Sequence, residues 1–198
     1  MAAQNGHANV TAVLLSRGAS VSDVDDSGYT PVHAAAKLGF RDVLQQLVRR
    51  GGDVKGENRA RSDDGGVAAK REVNPPLLLA AAEGHTDCVS LLLQKGADVA
   101  QEGLHEMTAL HAAAETGQIA VVELLLEAHH AHKTLWLGDS DGNTPLHLAV
   151  ANGHTAVASA LIQRGADVSS KANNGATPID LAAGNAEMLA ILAPHGEL

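Results

Sequence analysis

The chain's 198 residues predict an all-α repeat solenoid: about five helix-turn-helix units joined by β-hairpin loops, preceded by an N-terminal half unit. Three observations carry that prediction. A hexapeptide recurs as Thr30-Pro31-Val32-His33-Ala34-Ala35, Thr108-Ala109-Leu110-His111-Ala112-Ala113 and Thr144-Pro145-Leu146-His147-Leu148-Ala149. Its second position recurs in register at Pro31, Pro76, Ala109, Pro145 and Pro178, at intervals of 45, 33, 36 and 33 residues. Such self-similarity marks a chain built from stacked supersecondary units. The composition agrees, being 45% apolar with only 2% aromatic residues. Ala, Leu and Val must therefore fill thin layers of closely packed helices, without the aromatic volume that dominates most cores.

One unit shows why two helices are expected. Thr144 caps a helix through its hydroxyl, and Pro145 takes the first helical position, where a missing N–H costs nothing. Gly153 breaks that helix, Ala160-Leu161-Ile162 carries a second apolar run, and Gly165 ends it in the left-handed conformation. A unit of this size buries its apolar face only by stacking on neighbours. We therefore expect one domain over 1–198, divided into a partial repeat 1–25, a repeat with an expanded hairpin loop 26–70, repeats 71–103, 104–139 and 140–172, and a C-terminal capping repeat 173–198.

The anchors, the base period of 33 and the Thr-Pro-Leu-His start resemble the ankyrin-repeat family, over essentially the whole chain. The resemblance implies a turn plus two helices per repeat, and a concave face of hairpin tips and first helices that binds other proteins. It also implies that the motif His ties its turn to the neighbouring repeat, and that the chain acts without catalysis. Asparagine hydroxylation, another family property, favours an Asn where this chain has Ser22, Lys55, Ala100 or Ser169, so it is not expected.

In chain order, the first unit holds only the tail of one helix and a second ending Val13-Leu14-Leu15-Ser16-Arg17-Gly18, which predicts an array continuing upstream of Met1. The second is complete, with Asp25-Asp26-Ser27-Gly28 as turn chemistry before Tyr29. Residues 51 to 75 are longer than the matching connections by about a dozen residues, and 55–74 hold five of the chain's 14 Lys and Arg. That stretch is either a solvated loop, since lengthening a loop costs little, or a basic finger carrying Arg59, Arg61, Lys70 and Arg71 on an acidic body.

In the third unit Pro75 replaces the capping Thr and Leu78 the motif His. Cys88, the only cysteine, falls in a slot held elsewhere by Val43, Val121 and Val157, so it is expected to fill core rather than react. The fourth unit ends in an insertion of three residues, within His129-His130-Ala131-His132-Lys133-Thr134-Leu135-Trp136-Leu137. Leu135 and the only Trp, Trp136, either lie back on the neighbouring repeats or anchor a partner, Trp being enriched at interface hot spots. The last unit carries Asp180 in the His slot and a short second helix, which suits a cap ending the array.

Charge and motifs narrow the function. A net charge of −9 argues against nucleic acid, which calls for a basic footprint. No unbroken apolar run approaches the roughly 20 residues of a membrane span. Six of the 11 histidines recur with the repeat and are expected to be structural, while His129, His130 and His132 lack the closed four-ligand set that zinc needs. Phosphate loops and nucleophile elbows are absent. No cofactor is expected. The prediction is a monomeric, intracellular module that binds another protein through Tyr29, Asp25, Arg59, Arg61, Lys70, Arg71, Leu135 and Trp136. The alternatives are a regulatory or substrate-recruiting domain of a larger ubiquitin ligase or kinase, or a gankyrin-like proteasome-assembly chaperone.

Overall fold

The computed structural model describes residues 6–56, 73–128 and 131–193. Each anchor starts a helix where the sequence places it. The first helices of the units are α2 (Pro31–Lys37), α4 (Pro76–Ala82), α6 (Ala109–Glu115), α8 (Pro145–Ala151) and the short α10 (Pro178–Leu181). The second helices are α1 (Ala8–Ser16), α3 (Arg41–Arg49), α5 (Thr86–Gln94), α7 (Ile119–Glu127), α9 (Thr155–Gln163) and α11 (Ala186–Leu192). The described residues contain no β-strand. The expected hairpins survive as tight turns, closed by bonds such as Asp25 N–H to Tyr29 C=O (3.0 Å) and Asp139 N–H to Asn143 C=O (2.9 Å). Their arms are too short for a ladder.

The chain forms two compact units, residues 1–98 and 99–198. In the first, α2 packs on α4 while α1, α3 and α5 stack in a row behind them. In the second, α6, α8 and α10 form one layer and α7, α9 and α11 the other. The register of the second helices is uniform. Val43, Cys88, Val121 and Val157 are buried at one slot, and Leu47, Leu92, Leu125 and Leu161 four residues on. Burial pushes the Cys88 thiol up to about 11, so it stays protonated and packs as a small hydrophobe. In α1 the same two slots hold Val10 and Leu14, which are 49% and 45% exposed. That helix has no partner first helix of its own unit among the described residues.

Polar side chains lock successive repeats. At Thr30, Thr108, Thr144 and Thr177 a capping box closes, the third helical residue (His33, His111, His147 or Asp180) reaching back to the cap N–H. Pro75 offers no such bond. His85 and His154 donate from Nε2 to the carbonyls of Lys37 and Glu115, each at 3.0 Å, satisfying groups left open at the preceding first helix's end. Gly39 must be glycine for the same contact: its φ is +73°, and a Cβ there would lie 2.6 Å from His85 Nδ1. Arg50 and Arg164 close the second layer, donating to the carbonyls of Leu15 and Leu126 at 3.1 Å.

Candidate functional site

Two surfaces collect the described candidate residues, one in each unit. In the first unit the turn before α2 is built by Asp25, whose Oδ1 accepts the N–H groups of Ser27 (3.0 Å) and Tyr29 (2.9 Å). That fixes the Tyr29 backbone and sets its ring edge-on to His33, with centroids 5.4 Å apart. Beside the pair opens a cleft of about 290 Å³, lined among others by Asp25, Tyr29, His33, Lys37, Leu38 and Leu79.

His33 forms part of the cleft wall and is fully buried. Its Nδ1 accepts the Thr30 N–H at 3.2 Å, so in the neutral ring the proton sits on Nε2. Burial pushes the imidazole down to about 4, against a weaker pull from the Asp53 and Asp25 carboxylates. Nε2 has no hydrogen-bond partner among the described residues. The two equivalent histidines differ. His111 Nε2 donates to the carbonyls of Leu137 (3.0 Å) and Asn143 (3.1 Å), and His147 Nε2 to that of Ala176 (3.2 Å). Burial also holds His111 and His147 below the ordinary histidine value.

The second surface is the short insertion after α7. A 3₁₀ turn spans Ala131–Leu135. Thr134 and Leu135 are each only 2% exposed, whereas Trp136 is 53% exposed. One residue on, the Leu137 carbonyl is held by His111. The indole is therefore presented between two tethered neighbours, with His132 and Lys133 exposed on the same turn. This corrects the expectation for Leu135: buried as it is, it packs into its own unit and has no surface to offer a partner.

The remaining candidates Arg59, Arg61, Lys70 and Arg71 lie outside the described residues, as do His129 and His130. Asp25 and Tyr29 come together at one turn. Lys37 and Leu38, absent from the sequence-derived set, join them in the cleft. The signal was available in the repeat register: the Leu38 slot holds Glu83, Thr116 and Asn152 in the next three units, and the Lys37 slot holds Ala82, Glu115 and Ala151. Among the described residues no group of three or more His, Cys, Asp or Glu is placed to hold a metal.

The family model described as ankyrin repeats (3 copies) matches residues 1–58, 62–135 and 130–197. The chain belongs to the ankyrin-repeat family. Ankyrin repeats are protein-interaction modules. The chain is similar to the ankyrin repeat and KH domain-containing protein mask-1 of Caenorhabditis elegans, 31% identical over 98% of this chain and 7% of the relative. It is 38% identical to the transient receptor potential cation channel subfamily A member 1 homolog of the same organism, over 57% of this chain and 9% of the relative. With the ankyrin repeat and SOCS box protein 5 of Mus musculus it shares 32% identity over 59% of this chain and 34% of the relative. This chain thus spans a minor part of each of these ankyrin proteins.

Proposed function

We propose that this ankyrin chain is a non-catalytic module that binds another protein through its hairpin tips and first-helix face. The observation that supports this best is Trp136, a large aromatic surface exposed on a backbone tethered on both sides. A backbone already tethered loses little conformational entropy on docking, and Trp is enriched among the few residues that carry most of the energy at interfaces. Tyr29, positioned by Asp25 and half-buried against His33, is a second aromatic anchor in the other unit. On this reading the module works inside the cell as a monomer. No helix among the described residues is long and apolar enough to cross a membrane.

The test is affinity capture from an extract of the source cell with the wild-type chain and Trp136→Ala. A specific partner captured by the first and lost by the second, while both melt cooperatively, is the expected result. Identical captures would remove Trp136 from the interface. A second reading, a substrate-recruiting or regulatory domain within a larger protein such as a ubiquitin ligase or kinase, is favoured by the small share of its relatives that this chain spans, from 7% to 34% of those named above. It is distinguished by whether the captured partner is modified in the extract.

A further inference from the structure

In a repeat protein, residues that recur are explained by the fold, and a clustered departure from the repeat calls for another explanation. Three departures of the second repeat converge on one cleft. Tyr29 stands where the next four units have Asn74, Met107, Asn143 and Ala176. Lys37 stands where the next three have Ala, Glu and Ala, and Leu38 where they have Glu, Thr and Asn. Leu38 is 43% exposed at the C-terminal end of α2, a position that costs apolar hydration and contributes little packing. Lys37 is exposed and makes no ion pair among the described residues. The carboxylate in the lining, Asp25, is engaged by the amides of its own turn.

From this convergence we infer that the Tyr29–Lys37–Leu38 cleft reads a partner peptide in which a large apolar side chain stands close to an Asp or Glu. The apolar side chain enters between Tyr29, Leu38 and Leu79, and the carboxylate meets the Lys37 ammonium. The volume suits this occupant: about 290 Å³ lies at the lower edge of the roughly 300–1,000 Å³ of small-molecule pockets, enough for one anchoring side chain. The inference rests on the binding-module reading and adds to it the chemistry of one partner segment.

The experiment uses the full chain against immobilised nine-residue Gly/Ser peptides carrying Leu with Glu, Leu with Lys, or Ser with Glu, at one- to three-residue spacings. The Leu/Glu peptides should bind roughly fivefold better than Leu/Lys at low salt, the scale of one exposed ion pair, and salt should shrink the difference. Lys37→Glu should reverse that preference. Leu38→Ser should weaken every Leu peptide by about tenfold. Both side chains are exposed, so a cooperative melt confirms that the variants remain folded. Absence of binding, absence of a charge preference, or a preference unmoved by Lys37→Glu overturns the inference. Peptide binding lost with Trp136→Ala and kept with Lys37→Glu overturns it too, while leaving the binding-module reading intact.

Discussion

The two insertions in this chain follow motif histidines that stand in different surroundings. The short one, three residues after α7, buries Leu135 and brings the Leu137 carbonyl to His111, so that one imidazole N–H meets two acceptors. The long one, about a dozen residues between α3 and α4, follows a buried His33 whose Nε2–H finds no acceptor among the described residues. It also precedes a repeat that starts on Pro75, without a side-chain cap. A motif His whose Nε2–H meets a carbonyl, as His111 does, avoids the desolvation cost of an unpaired buried donor.

The largest effects test the packing beneath this comparison. Leu125→Ala, in the uniformly buried slot of α7, should cost roughly 2–5 kcal/mol, whereas Leu14→Ala in the same slot of α1 should cost well under 1 kcal/mol, its side chain being 45% exposed. A chemical melt showing under 1 kcal/mol for Leu125→Ala would contradict the register of the core. Leu135→Ala belongs at the lower end of the same range, because the inserted turn can relax toward the space.

Acid should weaken the chain next. The His33 imidazole titrates near 4 when folded and near its ordinary 6.5 when unfolded, so between those values the unfolded chain binds the extra proton. The contribution is complete above the unfolded value and is lost as pH falls through the window from 6.5 to about 4. Going from pH 7 to pH 5 this one group should cost about 2 kcal/mol, and His111 and His147, lowered in the same direction, add to the loss. Denaturant melts at the two pH values measure it, and His33→Leu should reduce the difference.

The comparison itself is sharpest in a matched pair. His33→Leu and His111→Leu both lose the capping box, but only the second also abandons two carbonyl acceptors. His111→Leu should be more destabilising by about 1–2 kcal/mol. Equal losses would mean that His33 is satisfied in solution and that the two histidines do not differ. The smallest expected change concerns the turn before α6. Glu106 sits at φ +57° in the slot where Gly28, Gly142 and Gly175 adopt positive φ. Glu106→Gly should stabilise by about 0.5 kcal/mol, relief of left-handed strain being partly offset by a freer unfolded chain.

Much of the fold was legible because an ankyrin repeat writes the same local instructions again and again. Thr before Pro, the paired Ala, the breaking Gly and the apolar run each act within one unit, through capping, helix geometry and glycine's tolerance of positive φ. Period and register therefore predicted where the helices start, the burial of Cys88 and the structural role of the motif histidines. The site was legible only in part. Asp25 and Tyr29 stand out as turn chemistry beside an aromatic residue, but Lys37 and Leu38 look like ordinary positions at a helix end until the fold brings them to the same cleft.

By itself, the sequence determined the repeat, its period and the residues that each unit must bury, because those follow from contacts a few residues apart. Only the tertiary structure decided which of two adjacent apolar residues, Leu135 or Trp136, turns inward. It alone decided which motif His receives an acceptor, because the acceptors of His111 lie 26 to 32 residues away, in the connection that leads into the next repeat. Burial and hydrogen-bond satisfaction at an insertion depend on where the chain returns, and that is set by packing between repeats rather than by any local preference.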